Sequence, residues 1–356
     1  MPEENTAAVR DAAEVTRDYK KTALKVGVFF LIVFILRYVG SYTITAVSAL
    51  LGDHHPYTAK YIVQLTISFM FLQVAPAIIG AYMFGWLGKG GTGLKVHYRI
   101  PKSNTRAIGN FPAVYGAGAI VNVVTLIIMF FCFRDVDLTK RLNAVSPALE
   151  GDIWASLYMF FVLVVIAPVF EEFVYRGVLM DALKPYGNGL AIFATGIMFG
   201  IAHANFQQLF YTMVIGICLG YIANVTGSIF STTIIHAMVN GVSGIMILLM
   251  STNGVQEFIL NGNPDTIPDE DMIWVAVFGI FMVSIFIFMI VGFISAVLKI
   301  KQIKKYKVKK VCPEITNGKK TALLLTTVPA VITLIMVIDT LFGISSGLVA
   351  SMIQGA

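Results

Sequence analysis

Six side chains able to move protons or stabilise a developing charge lie inside three apolar segments of the chain. They are Glu171, Glu172, Arg176, His203, His236 and Asn240. An ionisable group within a bilayer costs roughly 3 kcal/mol or more, so each one indicates a function by default. Carboxylate, imidazole and carboxamide groups that converge inside a membrane are suited to activating water and hydrolysing an amide bond.

The first of these segments ends in two adjacent glutamates. Arg176 follows Glu172 by four residues, which places both on one helical face as an ion pair. Glu171 points about 100° away and needs a different partner. Its apolar surroundings and its like-charged neighbour suit Glu171 to exchanging protons near neutral pH. An ion-paired helix end at the membrane interface is the alternative explanation for the two glutamates taken alone.

The other two segments contribute one histidine each. His203 ends one of them, and His236 and Asn240 share a helical face of the other because they are four residues apart. Taken alone, either histidine also fits a packed core residue or an interhelical hydrogen bond. At ~1.5 Å per residue, Glu171 and His203 both lie on the order of 20 Å from the turn between their segments, whereas His236 comes out shallower. We therefore expect Glu171 and His203 to form the central pair.

A carboxylate and an imidazole that meet at one water can act as general base and orienting group, or as ligands of a metal ion. Hydrolysis by such a set needs no nucleophilic serine or cysteine. The sequence contains no His-Glu-x-x-His, the pattern of site-2 metalloproteases, and no Gly-x-Gly-Asp, the pattern of intramembrane aspartyl proteases. Both of these protease classes are therefore excluded.

The elements that must position these residues are membrane-spanning helices. Hydrophobic residues make up 57% of 356 positions and charged residues only 13%, about half of the charged share of soluble domains. The mean hydropathy is +0.79. We predict an all-α, polytopic transmembrane helical bundle of eight or nine spans. The candidates are 24–51, 60–87, 107–133, 153–180, 189–204, 206–224, 229–250, 272–298 and 321–352.

Two details of this span prediction stay open. An even number of spans follows if the short fifth and the sixth segments form a re-entrant pair. Arg37 and Asp339 are isolated charges in the first and last spans. We expect both to have a structural role, and they could pair with each other.

Charge is distributed unequally among the loops. Basic residues dominate 89–106 and 299–320, whereas 253–271 carries five acids and neither Lys nor Arg. The positive-inside rule then places the N-terminus and both basic loops in the cytoplasm. These loops also explain the net charge of +6, so we expect no nucleic-acid partner. We divide the chain into a cytoplasmic tail (1–23), N-terminal spans (24–150), core spans with the candidate site (151–250) and C-terminal spans with a lysine-rich loop (251–356).

Three motifs carry a resemblance to a known family. Glu171-Glu172-x-x-x-Arg176, Phe199-x-x-x-His203 and His236-x-x-x-Asn240 resemble the motifs of the CPBP family. This family comprises the type II CAAX prenyl proteases and the bacterial bacteriocin-processing or immunity proteins, also called Abi proteins. The resemblance covers about 167–245, and the three motifs occur in order in three separate apolar segments.

The resemblance implies an all-helical intramembrane endopeptidase. Because the sequence shows no long soluble domain, we expect it to lie in a prokaryotic cell membrane. Its substrate would be a membrane-associated protein or peptide, prenylated or leader-bearing. Glu171 would activate water with His203 as its partner, and His236 and Asn240 would stabilise the oxyanion. Glu172 and Arg176 would support the site.

Two alternatives to this mechanism and function stay open. We favour a mechanism that requires no cofactor, and a zinc ion held by Glu171, His203 and His236 is the alternative. A non-catalytic immunity or regulatory membrane protein is the second functional hypothesis, and a transporter with a polar midplane site is the third.

Overall fold

The computed structural model describes residues 11–52, 56–86, 98–132, 152–264, 267–303, 312 and 314–342. The long regular elements among them are helices, which we number along the chain. They are α1 (Ala12–Leu51), α2 (Tyr57–Met83), α3 (Asn104–Phe131), α4 (Ile153–Tyr186), α5 (Asn188–Ala202), α6 (Phe206–Thr226), α7 (Phe230–Met250), α8 (Asn253–Asn261), α9 (Met272–Ile303), α10 (Asn317–Leu325) and α11 (Val328–Phe342).

Seven of these helices are long and apolar enough to cross a membrane, and the chain is an integral, multi-pass membrane protein. The seven are α1, α2, α3, α4, α6, α7 and α9. Helices α10 and α11 meet at 68° and form an eighth span if they are counted together. Helix α5 has 15 residues, about 22 Å against a hydrocarbon core of about 30 Å. Within the described residues the count is therefore seven or eight, and a ninth full span is not reached.

Helix α1 begins at Ala12, well before the predicted start of the first span at residue 24. Val15, Tyr19 and Ala23 are buried on one side of this polar extension. The Tyr19 hydroxyl donates to the carbonyl of Lys320 at 2.9 Å, which joins α1 to α10. The prediction took the start of the apolar run as the start of the helix, whereas packing against α10 keeps the preceding polar turns helical. Residues 1–10 of the predicted tail lie outside the described residues.

Helix ends and short connections gather at two ends of the bundle. At one end, Ser228 Oγ donates to Arg99 O at 2.6 Å and Lys299 Nζ to Asn110 Oδ1 at 2.8 Å. We call this the basic end, because the described residues of both predicted basic loops lie there. At the opposite, acidic end, Gly254 at the start of α8 packs directly against the backbone of Asp271.

Helices α5 and α6 form a tightly packed hairpin that carries His203 near its tip. A Cβ added at Gly200 would lie 2.5 Å from the carbonyl oxygen of Leu209, and one at Gly196 would lie 2.8 Å from the amide nitrogen of Ile217. Small residues allow this close approach of two helix backbones in a membrane protein. The hairpin leaves the basic end at Gly187 and returns to it at Gly227.

Candidate active site

Helix α4 departs from regular α-helical winding on both sides of the two glutamates. Val162–Ile166 and Phe173–Leu179 are π-helical, and Ala167–Glu172 between them is α-helical. A π-helical turn inserts an extra residue into a helix, and such turns are frequent at functional sites. The glutamates therefore lie on a short α-helical piece whose orientation is set by two irregular turns.

Asn240 stabilises the first of these irregular turns. Pro168 has no N–H, so it cannot donate a π-type hydrogen bond to the carbonyl of Leu163, five residues earlier. Asn240 Nδ2 lies 2.9 Å from that carbonyl oxygen and supplies the donor. One N–H of the Asn240 carboxamide thus joins α7 to α4. Only its second N–H is then left for the oxyanion that the sequence analysis predicts for this residue.

Glu172 and Arg176 form the ion pair that their spacing predicts. Arg176 Nη1 lies 2.8 Å from Glu172 Oε1, and neither side chain is exposed. Arg176 Nη2 also donates to Gly216 O at 3.2 Å, and the guanidinium carbon lies 4.4 Å from the ring centroid of Phe199. A buried ion pair needs such additional partners to offset the loss of hydration. These contacts join α4 to α5 and α6 beneath the site.

His236 lies between the two glutamates. Its Nδ1 is 3.0 Å from Glu172 Oε1, and its Nε2 is 3.5 Å from Glu171 Oε2. A proton on Nδ1 is donated to the Glu172 carboxylate, so Nε2 is the nitrogen that faces Glu171. The result is a continuous chain of polar groups from Arg176 through Glu172 and His236 to Glu171.

His203 reaches the same region from the end of α5. Its Nδ1 donates to the carbonyl of Phe199 at 2.8 Å, which leaves Nε2 as an acceptor. The Phe199 ring stands edge-on to both histidines, with ring centroids 4.9 Å from His203 and 5.5 Å from His236. His203 lies within electrostatic range of Glu171, and no hydrogen bond or ion pair links the two in the part of the chain that the structure describes.

The expectation that His236 lies shallower than the other site residues is wrong. Helix α7 begins inside the protein and not at its surface. Ser231 Oγ in its first turn donates to Asn104 Oδ1 at 2.7 Å, and Ile229 just before it is 1% exposed. The π-helical turn that follows Glu171 also advances less per residue than the α-helix assumed. Both effects bring His236 to the depth of Glu171, so His236, and not His203, is the histidine in direct contact with this glutamate.

One comparison with known proteins covers the segment that carries the site. Residues 153–242, 90 of the 356, match the family model described as Type II CAAX prenyl endopeptidase Rce1-like. The chain contains an Rce1-like domain. All six predicted site residues lie inside it, and the match agrees with the resemblance to the CPBP family. No curated protein and no solved structure matches the chain.

Gln73 completes the site from outside the Rce1-like domain. Its Nε2 donates to Glu171 Oε1 at 2.7 Å. Gln73 lies in a π-helical turn of α2, Met70–Val74, just before Pro76. Sequence reasoning missed this residue, although a glutamine inside an apolar span is a signal of the same kind as His203.

Arg37 also approaches the Rce1-like domain from outside. Its Nη1 donates to the carbonyl of Ala202, the residue before His203, at 3.4 Å. Asp339, the partner considered from the sequence, accepts a hydrogen bond from the Tyr38 hydroxyl at 3.0 Å instead. The guanidinium of Arg37 is thus directed at the tip of the α5–α6 hairpin.

The zinc alternative requires the side chains of Glu171, His203 and His236 to converge on one point. Among the described residues, no group of three or more His, Cys, Asp and Glu side chains is arranged to hold a metal ion. The Nδ1 atoms of both histidines are held by the Phe199 carbonyl and the Glu172 carboxylate, as is usual for histidines that bind a metal through Nε2. A zinc ion would therefore require the two Nε2 atoms and Glu171 to converge more closely than they do in this conformation.

Proposed function

We propose that the chain is an intramembrane endopeptidase that hydrolyses a peptide bond with a water activated by Glu171. The match to an Rce1-like domain supports protease activity. The assignment of Glu171 as the general base rests on the chain of polar groups that runs from Arg176 through Glu172 and His236 to Glu171. Glu171 ends this chain on its more exposed side, with 13% of its side chain accessible. It is the carboxylate of the pair that water and a substrate can reach.

In the proposed reaction, a water binds between the Glu171 carboxylate and Nε2 of His203. Glu171 takes a proton from the water while the water oxygen bonds to the scissile carbonyl carbon. When the tetrahedral intermediate collapses, the carbon–nitrogen bond breaks and Glu171 returns the proton to the leaving amine. His236 and the second N–H of Asn240 are the groups assigned to stabilise the oxyanion.

The substrate class we propose is a membrane-associated protein or peptide that carries a prenyl chain. The name of the matched family points to this class, and an apolar groove fits it. The groove has a volume of about 500 Å³ and lies between α1, α5, α10 and α11, lined by residues such as Phe30, Phe193 and Leu334. The groove reaches Ile201, two residues before His203, so a prenyl chain bound in it would bring the attached peptide to the candidate active site.

We also propose that the basic end faces the cytoplasm. The described basic residues at that end include Arg99, Arg106 and Lys299, whereas the acidic end carries Asp269 and Glu270. This distribution follows the positive-inside rule. The apolar groove extends to Asn317 and Thr321 at the start of α10, so a prenylated protein would enter from the cytoplasmic side.

The test is cleavage of a peptide with an S-farnesyl cysteine three residues from its C-terminus, by purified protein in lipid vesicles. We expect the wild-type protein and the Glu270→Gln variant to cleave it, because Glu270 is exposed at the acidic end. Glu171→Gln keeps the shape of the side chain and removes the base, so it should be inactive. Equal rates for Glu171→Gln and wild type would refute the assignment of Glu171.

A chelator separates the metal-free mechanism from the zinc alternative. We expect cleavage to continue at an unchanged rate after dialysis against a strong chelator, with less than one zinc per chain by elemental analysis. Loss of activity on dialysis and its recovery with added zinc would show that the protein requires the metal.

A further inference from the structure

Arg37 is a cation inside an apolar span, and no anion among the described residues forms an ion pair with it. It follows the run Phe29–Leu36 in α1, and an arginine at membrane depth is costly and is usually paired. Within the described part of the chain it makes no ion pair and one hydrogen bond, to Ala202 O at 3.4 Å. A guanidinium has five N–H donors, so most of its donor capacity is available.

The guanidinium lies beside the candidate active site. It is within electrostatic range of His203 and of Tyr175, and Tyr175 is in turn within range of Glu171. It does not contact the Glu171 carboxylate itself, since no ion pair joins them among the described residues. Arg37 therefore lies near Glu171, the proposed water-activating group, without contacting it. A part of the substrate beyond the scissile bond would lie in this position.

Capping of α5 explains only part of this placement. At the end of α5, the Phe199, Gly200 and Ile201 carbonyls already accept hydrogen bonds from His203 Nδ1, His203 N and Ala204 N. A cation there also interacts favourably with the helix dipole. One long hydrogen bond to Ala202 could come from a lysine or a glutamine, and it does not require a guanidinium.

The apolar groove leads along α1 toward Arg37. Val26 and Phe30 line the groove, and Arg37 follows Phe30 by seven residues, which keeps all three on one face of the helix. A substrate whose lipid chain fills the groove would bring the polar end of its peptide toward this guanidinium. Inside the membrane, an anion at that end needs a cation as partner.

We propose that Arg37 binds the free C-terminal carboxylate of the peptide substrate. The planar guanidinium presents two parallel N–H donors that match both oxygens of a carboxylate. Arg37 would thus select substrates that end close to the scissile bond, and it would do so from a helix outside the Rce1-like domain. This inference rests on the proposed endopeptidase function.

The test compares two forms of the farnesylated peptide, one with a free C-terminal carboxylate and one with a C-terminal amide. For the wild-type protein we expect kcat/KM to favour the acid by about 10- to 100-fold. In Arg37→Gln this ratio should fall to near one, chiefly through the acid. Arg37→Lys should keep part of the preference, and Arg17→Gln, an exposed arginine of the same helix, should keep all of it.

A purely structural role for Arg37 gives a different result. Arg37→Gln would then lower cleavage of the acid and of the amide by the same factor, and the inference would be refuted. A wild-type protein with no preference for the acid would refute it as well.

A binding measurement separates this inference from the proposed function. Both peptides are titrated into the Glu171→Gln variant, with and without Arg37→Gln, so that no cleavage is needed. Tighter binding of the acid that is lost with Arg37→Gln supports the role of Arg37 even if the chemistry assigned to Glu171 is wrong. Equal binding of the acid and the amide refutes it.

Discussion

The two glutamates of α4 are adjacent in sequence but lie on sides of the helix with different chemistry. On the buried side, Glu172 has no exposed surface, and Arg176 and His236 hold its carboxylate at 2.8 and 3.0 Å. On the open side, Glu171 is 13% exposed, accepts a hydrogen bond from Gln73 and lies 3.5 Å from His236. This difference supports the proposed division of roles, in which Glu172 orients the site and Glu171 binds and activates water.

The largest expected effect is a loss of activity without a loss of stability on the open side. Glu171→Gln should lower kcat/KM by about 10²- to 10⁴-fold, the contribution typical of general acid–base catalysis. Its free energy of unfolding should stay within about 1 kcal/mol of wild type, because the amide oxygen can still accept from Gln73 and the contact with His236 is long at 3.5 Å. Cleavage rates and unfolding in detergent check both values. A strongly destabilised Glu171→Gln variant would remove the distinction between the two sides.

On the buried side the same substitution should act on stability. Glu172→Gln leaves the Arg176 guanidinium buried without its counter-charge, which costs about 3–5 kcal/mol for a buried pair. The matched control is Asp181→Asn, which breaks the partly exposed pair of Asp181 with Lys184 in the same helix and should cost less than about 1 kcal/mol. Denaturant unfolding of the three proteins gives the comparison, and equal losses for both variants would contradict it.

A double variant sharpens the explanation of that loss. If the cost of Glu172→Gln comes from an unpaired Arg176, then adding Arg176→Gln should recover about 1–2 kcal/mol of the stability lost. The double variant is compared with both single variants by unfolding in the same detergent. Losses that simply add would show that Glu172 and Arg176 stabilise the fold independently.

The buried side could be predicted from the sequence, whereas the open side could be predicted only in part. The four-residue spacings that place Glu172 with Arg176, and His236 with Asn240, are local properties of a helix. The contact of Gln73 with Glu171 joins residues 98 positions apart, and no helical periodicity relates them. The depth of His236 depended on π-helical winding in α4 and on the burial of the first turn of α7. The role of Asn240 depended on the missing N–H of Pro168. These irregularities lie outside the regular geometry that spacing arguments assume.

The smallest expected effect concerns Gln73, which holds Glu171 from α2. Gln73→Ala removes the one side-chain amide that orients the Glu171 carboxylate among the described residues, and should lower kcat/KM by about tenfold, the equivalent of one hydrogen bond to a charged group. Because the carboxylate is still present, the loss should be far smaller than in Glu171→Gln. Gln64→Ala provides the control, since Gln64 in the same helix donates to Ser48 Oγ at 2.8 Å away from the site. If Gln73→Ala and Gln64→Ala were equally active, the orientation of Glu171 would depend on His236 alone, and the open side would need no contribution from outside the Rce1-like domain.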